Sequence, residues 1–130
     1  MNNKYADAEK KKTAAWHAAE LARARRQYAD ALKLYDAAEH ELSNYWAGEC
    51  LDELGNWKEA TTRWATARNT IRRNAHYRNM AAYRMAETLL FRDDTEGVEA
   101  LKFAYKRGDA TWKAKAMELA KSYSIDLEAK

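Results

Sequence analysis

The sequence contains no proline, four glycines and a single cysteine in 130 residues. Because proline and glycine disfavour helix interiors, their scarcity beside abundant Ala, Leu, Glu, Lys and Arg predicts an all-α fold. One cysteine excludes an internal disulfide and a cluster of cysteine ligands for zinc. There is also no apolar run near the ~20 residues of a membrane helix and no signal-peptide hydrophobic region. We therefore expect a cytoplasmic chain with no membrane partner.

The residue patterns of common active sites and cofactor sites are missing as well. The three histidines, His17, His40 and His76, are far apart, and none forms a helical pair with another histidine or a cysteine. The sequence therefore predicts no metal site. Glycine-rich phosphate loops and nucleophile elbows do not occur. We expect a protein that is not an enzyme and needs no cofactor, with Cys50 as a small buried residue.

Turn-forming residues divide the chain into about six or seven helices. They occur at Gly55-Asn56, at 92–97 and at Gly108-Asp109. Asn56 with Glu59 three residues later matches a capping box, and Asp109 can accept from the first-turn amides of a following helix. A chain of 130 residues fits one domain with a modest core.

Small and aromatic residues recur at three- and four-residue steps around the Gly55-Asn56 turn. They are Trp46, Ala47, Gly48, Leu51, Trp57, Ala60, Trp64 and Ala67. This spacing predicts two antiparallel helices that pack closely across the turn. A weaker copy lies upstream, with Arg26-Gln27 in the position of the turn. Its members are Trp16, Ala19, Ala22, Tyr28, Ala31, Tyr35 and Ala38.

The pattern resembles the tetratricopeptide repeat, a helix-turn-helix unit of about 34 residues. The resemblance implies one helical-repeat domain over 1–130, with approximate units at 12–43, 44–75 and 76–108 and a capping helix at 109–126. Tyr28 and Trp57 are 29 residues apart (57 minus 28), which predicts a shortened connection between the first two units. In the third unit, which includes Phe103, the segment RDDTEGVE is interpreted as a longer insertion between helices, similar to the Sel1-like variety.

The resemblance also implies a concave groove lined by the first helix of each hairpin. The groove positions are Trp16, Glu20, Arg23, Tyr45, Glu49, Asp52, Asn79, Tyr83 and Glu87. This lining is aromatic and mainly acidic, so we expect it to bind a basic or amphipathic segment. The family's peptide-carboxylate clamp uses lysine and asparagine at such positions. The sequence lacks that set, so this ligand class does not carry over.

A second candidate surface comes from uneven charge. Residues 58–92 carry eight basic and two acidic side chains, and seven of the eight are arginine. Arginine favours bidentate recognition of carboxylate or phosphate. The candidate contacts on this basic face are Arg63, Arg68, Arg72, Arg73 and Arg78. Alternatively, these arginines are ordinary solvated surface, in which Arg72 and Arg73 complement the dipole at a helix C terminus.

We interpret the chain as a non-enzymatic protein-protein interaction module that binds one main protein partner through the groove or the basic face. It would act as a small adaptor, chaperone or stoichiometric inhibitor. Two other interpretations remain open. The arginine block of 63–92 could contact nucleic acid, or Trp-rich helix surfaces could stack on further copies of the chain in a self-assembling structural protein.

Overall fold

The computed structural model describes residues 3–128 of the chain. Its seven helices are α1 (Asn3–Ala24), α2 (Tyr28–Ala38), α3 (Ser43–Glu53), α4 (Trp57–Thr70), α5 (Ala75–Phe91), α6 (Glu96–Arg107) and α7 (Ala110–Ser122). No strand occurs between residues 3 and 128. The predicted all-α fold of six or seven helices is confirmed, and the first two helices are separate.

The helices form two compact units. The first unit ends at Arg63 and the second begins at Trp64. This boundary lies inside α4, and the predicted division into repeat units stays a prediction. Each unit has its own hydrophobic cluster.

In the first unit, α1 packs on α2 and α2 packs on α3. Its buried cluster consists of Ala19, Ala22, Ala31, Tyr35 and Cys50. The three alanines let the helix backbones approach, and the larger Tyr35 side chain fills the remaining space. The core of this unit is therefore built from the same small and aromatic positions that defined the upstream copy of the repeat.

In the second unit, α5 packs on α6, and α7 packs on both. Its buried cluster consists of Ala86, Leu90, Ala100, Leu101, Ala116, Ala120 and Leu127. Gly97 brings the start of α6 close to the end of α5, because a Cβ atom at this position would lie 2.8 Å from Leu90 Cγ. Leu127, beyond the last helix, returns into the same core and is 3% exposed.

Three connections between consecutive helices have the same turn. Arg26, Gly55 and Asp93 have φ values of 60°, 83° and 57°. In each turn, this residue donates its amide to the carbonyl three residues back. The next residue donates to the carbonyl five residues back, which is the Schellman arrangement. The Arg26-Gln27 turn is thus equivalent to Gly55-Asn56, as the repeat pattern predicts.

The prediction that RDDTEGVE forms a long insertion between helices is wrong. Helix α5 ends at Phe91 and α6 begins at Glu96, so four residues connect them, compared with three between α1 and α2. The second half of the segment is helical, and Asp94 Oδ1 accepts from the Glu96 amide at 2.9 Å where the new helix begins. The caps predicted at Asn56 and Asp109 are confirmed, with oxygen-to-amide distances of 3.4 and 3.1 Å.

Candidate functional site

A basic cleft lies in the second unit, lined from the end of α4, the start of α5 and the last two turns of α6. Its volume is about 380 Å³. The lining residues are Arg68, Asn69, Ile71, Arg72, Arg78, Phe103 and Arg107. Four of these seven are arginine and none is acidic. An anion that enters therefore meets only positive side-chain charge from the lining. We call this feature the arginine cleft.

One aromatic ring contacts two of these arginines. The guanidinium carbon of Arg68 lies 5.5 Å from the centroid of the Phe103 ring, and that of Arg107 lies 5.2 Å from it. Both distances are within the ~6 Å of cation-π attraction. Arg68 Nη1 is also 3.8 Å from the Met85 sulfur, which is a weak acceptor. These contacts restrict the two guanidinium groups before any ligand arrives.

Arg78 lies at a position where the helix dipole disfavours a positive charge. It lies in the first turn of α5, where the partial positive charge of the helix N terminus disfavours a cation. Its Nε is buried and has no hydrogen-bond acceptor within residues 3–128, which costs about 1–3 kcal/mol. By contrast, Arg68 and Arg107 lie in the last turns of α4 and α6, where a cation is favourable. Arg78 is therefore poorly explained by stability alone.

Asn79 supports the cleft from inside the unit. Its side chain is 3% exposed, and Nδ2 donates to the carbonyl oxygen of Arg107 at 3.4 Å. This contact connects the first turns of α5 to the last residue of α6. The prediction that Asn79 lines a partner groove is wrong, because this face of α5 packs on α6.

The structure gathers part of the predicted basic face. Arg68, Arg72 and Arg78 line the arginine cleft together. Arg73 is exposed but does not line it. Arg63 belongs to the first unit and does not line the cleft, so its role in partner binding stays a prediction. In that unit it forms an ion pair with Asp36 and donates from Nε to Asn44 Oδ1 at 2.7 Å.

Sequence reasoning missed four residues of the cleft, Asn69, Ile71, Phe103 and Arg107. The last two carry its aromatic ring and its fourth arginine. A basic residue just before a Gly-Asp turn is readily interpreted as a complement to the helix dipole. Phe103 fits a packing position of the third repeat equally well. A usable indication was their four-residue spacing, which places both on one face of a helix.

The predicted groove anchors in the first unit are largely used for packing. Tyr45 is 3% exposed, and its ring contacts the Trp46 ring with centroids 4.9 Å apart. The expectation of an exposed anchor at Tyr45 is therefore wrong, because its side chain is turned into the core. Trp16 is half-buried, with its ring 3.9 Å from His40 and 5.3 Å from Tyr35 between centroids.

The charged groove positions are half-buried. Glu20 pairs with Arg23 at 3.5 Å, one helical turn away. Glu49 and Asp52 lie on α3 with intermediate exposure, and their partner contacts stay a prediction. In the second unit, Tyr83 is half-buried and its ring lies 5.7 Å from the Trp112 centroid. Burial, followed by the charge of Glu87, raises the pKa of the Tyr83 hydroxyl.

Reactive and metal-binding side chains do not form a second site. Cys50 is fully buried, and burial raises the pKa of its thiol to about 11, so the nucleophilic thiolate is scarce near neutral pH. Across residues 3–128, no group of three or more His, Cys, Asp or Glu side chains is placed to hold a metal ion.

In the part of the chain that the structure describes, none of the helices combines the length and apolar character needed to cross a bilayer.

Comparisons with protein-family models, with curated proteins and with solved structures found no match. The resemblance to the tetratricopeptide repeat therefore stays a prediction from residue spacing. The equivalent turns at Arg26, Gly55 and Asp93 support a repeated helical unit without assigning it to that family.

Proposed function

We propose that this protein is a non-enzymatic interaction module that binds one acidic protein partner through the arginine cleft. The observation that carries the proposal is a concave lining with four arginines and no carboxylate. Guanidinium groups recognise carboxylates with paired, charge-assisted hydrogen bonds. Phe103 adds an apolar surface between two of them, and interfaces typically combine such aromatic and arginine contacts at their centre.

The basic surface is a better candidate than the aromatic groove. Two predicted groove residues, Tyr45 and Asn79, are each 3% exposed, so their side chains are not available to anchor a partner in this structure. Arg78, by contrast, lines the arginine cleft, where its charge can meet a partner's oxygen atoms.

The proposal predicts charge-dependent binding of an acidic peptide. A fluorescently labelled glutamate-rich peptide would be titrated with the full chain, with anisotropy as the readout. The variant Arg72→Glu with Arg78→Glu should weaken binding by at least about tenfold, because each reversal places a carboxylate beside the ligand. The matched control is Arg25→Glu with Lys33→Glu, two exposed residues of the first unit, which should leave the affinity unchanged.

Two results would contradict this function. Equal weakening by the control pair would mean that overall charge, not the cleft, determines binding. A random-sequence DNA duplex that binds more tightly than the peptide at equal ionic strength, with a steep salt dependence, would favour the nucleic-acid interpretation instead. Circular dichroism of each variant would confirm that its helices remain folded.

A further inference from the structure

The arginine cleft carries more positive charge than recognition of one carboxylate requires. Its four arginines are Arg68 in the last turn of α4, Arg72 in the connection after it, Arg78 in the first turn of α5 and Arg107 in the last turn of α6. A carboxylate has one charge and two oxygens, and a single guanidinium fork can pair with both. A lining of this kind therefore fits an anion with more charge and more acceptor atoms.

We propose that the ligand of the arginine cleft is a phosphoryl group on a phosphorylated segment of the protein partner. This inference rests on the proposed function and names the chemistry of the group that is bound. A phosphorylated side chain carries a charge of about −1.5 to −2 and three acceptor oxygens. These oxygens can accept from guanidinium groups on different helices at once.

Arg78 is the residue that most clearly points to such a ligand. A dianion beside it would reverse the unfavourable interaction between its charge and the N terminus of α5, since anions are favoured there. The same ligand would supply acceptors to a guanidinium that lines the cleft.

The shape of the cleft favours a discrete group over a nucleic-acid backbone. Its volume of about 380 Å³ is near the lower end of small-ligand pockets, so it fits one side chain with its phosphoryl group. Phe103 and Ile71 also line it and offer apolar contact to the stem of that side chain. A duplex, in contrast, is usually bound along an extended basic stripe with many phosphate contacts.

Arg68 and Arg107 are restrained before binding by the Phe103 ring. Ordering flexible side chains opposes association, and groups that are already held in place lose less freedom. The contact between Asn79 and the Arg107 carbonyl restrains the end of α6 in the same way. The cleft therefore has part of its binding geometry in the unbound chain.

The experiment compares two peptides that differ at one position, with phosphoserine in one and glutamate in the other. Anisotropy titrations with the full chain should show the phosphopeptide binding at least about tenfold more tightly, because of its extra charge and acceptor. Its affinity should fall as the pH drops through about 6, where the phosphoryl group loses its second charge. The affinity of the glutamate peptide should not fall in this way near pH 6.

Variants at Arg78 test whether binding depends on the planar, paired donors of its guanidinium group. Arg78→Lys keeps the charge but removes the planar donors, and we expect it to lose most of the preference for phosphoserine. Arg78→Gln should weaken phosphopeptide binding by about tenfold to a hundredfold. Arg25→Gln, an exposed arginine of the first unit, serves as the matched control. Circular dichroism and urea unfolding would show that all variants are folded.

The possible outcomes separate the two proposals. Equal affinity for both peptides, lost in the double charge reversal, would leave the proposed function standing and overturn the phosphoryl inference. Failure of both peptides to bind would overturn both. A phosphopeptide preference that survives Arg78→Lys and Arg78→Gln would show that the group binds elsewhere. Tighter binding of a DNA duplex than of the phosphopeptide would overturn the assignment to a protein partner.

Discussion

Arg23 in the first unit and Arg78 in the second are both partly buried arginines on helices, but their donors meet different surroundings. Arg23 Nε donates to the Tyr35 hydroxyl at 2.7 Å, and its guanidinium carbon lies 3.8 Å from the Trp46 centroid. Arg78 Nε has no acceptor within residues 3–128. In the first unit the arginine completes the packing, whereas in the second it lines the arginine cleft.

The comparison shows why counting arginines along the sequence is a poor guide to function. Arg63 and Arg68 are five residues apart on α4, yet Arg63 is paired with Asp36 in the first unit and Arg68 lines the arginine cleft. An arginine whose hydrogen bonds are satisfied internally contributes to stability. An arginine without an internal acceptor is a better candidate for binding.

The largest effect is expected for Arg23→Ala. The change removes the donor to the buried Tyr35 hydroxyl and the contact with Trp46, which should lower the free energy of unfolding by about 2–3 kcal/mol. Urea denaturation would measure the loss. Labelling of the buried Cys50 thiol should also accelerate, because Cys50 lies in the same cluster as Tyr35. Arg25→Ala, an exposed neighbour, is the control, and equal loss in both variants would contradict this interpretation.

Alkaline pH should lower the folding stability of the chain, because a buried thiol in the core of the first unit resists ionisation. Burial raises the pKa of Cys50 from 9.0 to about 11. Between these values the unfolded chain has released the proton while the folded chain retains it, so stability falls as pH rises from about 9 to 11. The loss is about 2 kcal/mol, measured by urea unfolding at a series of pH values.

Cys50→Ala is the control for this pH effect. The variant should show a shallower decline over the same pH range, although its stability at neutral pH is lower because a buried side chain has been truncated. The pKa of Tyr35 is also raised by burial, against the opposing contact with Arg23, so part of the decline should remain. An unchanged slope would show that the Cys50 thiol is not the group responsible.

Gly97→Ala should damage the second unit by steric overlap. The new methyl group would lie 2.8 Å from Leu90 Cγ and 3.0 Å from the Leu90 backbone nitrogen. Such overpacking typically costs about 1–3 kcal/mol, and the better helix propensity of alanine offsets part of it. We expect a net loss of about 1–2 kcal/mol in urea unfolding. A stability equal to wild type would mean that α5 and α6 can separate without cost.

The smallest effect on stability is expected for Arg78→Met. Removing a cation from the start of α5 and a donor without an acceptor should leave the free energy of unfolding unchanged or raise it by up to about 1 kcal/mol. Anion binding should nevertheless be lost. The measurement is urea unfolding in a buffer without phosphate or sulfate. If the free energy of unfolding fell by more than about 1 kcal/mol, Arg78 would make stabilising contacts and would be a structural residue like Arg23.

Local features of the fold followed well from sequence. The cap at Asp109 and the turn at Gly55-Asn56 depend on short-range chemistry, so residue type and spacing were enough to predict them. The Arg26-Gln27 turn was also predicted, although it has no glycine, because the small and aromatic residues around it repeat the same spacing. The connection at 92–95 was misjudged because α6 begins at Glu96, which makes the second half of RDDTEGVE helical.

The candidate site was only partly predictable. Arg68, Arg72 and Arg78 belong to one charged block, and that block is visible in the sequence. Arg107 joins them because α5 packs on α6 and Asn79 contacts the Arg107 carbonyl, which no local pattern encodes. The burial of Tyr45 was missed for the same reason. Exposure depends on which helix face meets a neighbour, and periodicity alone does not identify that neighbour.

The sequence by itself determined an all-α chain, the positions of its main turns and the arginine-rich block that supplies three of the cleft residues. These properties come from backbone preferences and side-chain charge, which act over a few residues. The tertiary structure alone decided which arginines are satisfied internally and which converge on a cleft. That difference depends on acceptors brought from distant parts of the chain: Asp36 and Asn44 reach Arg63, while no residue between 3 and 128 supplies one to Arg78 Nε.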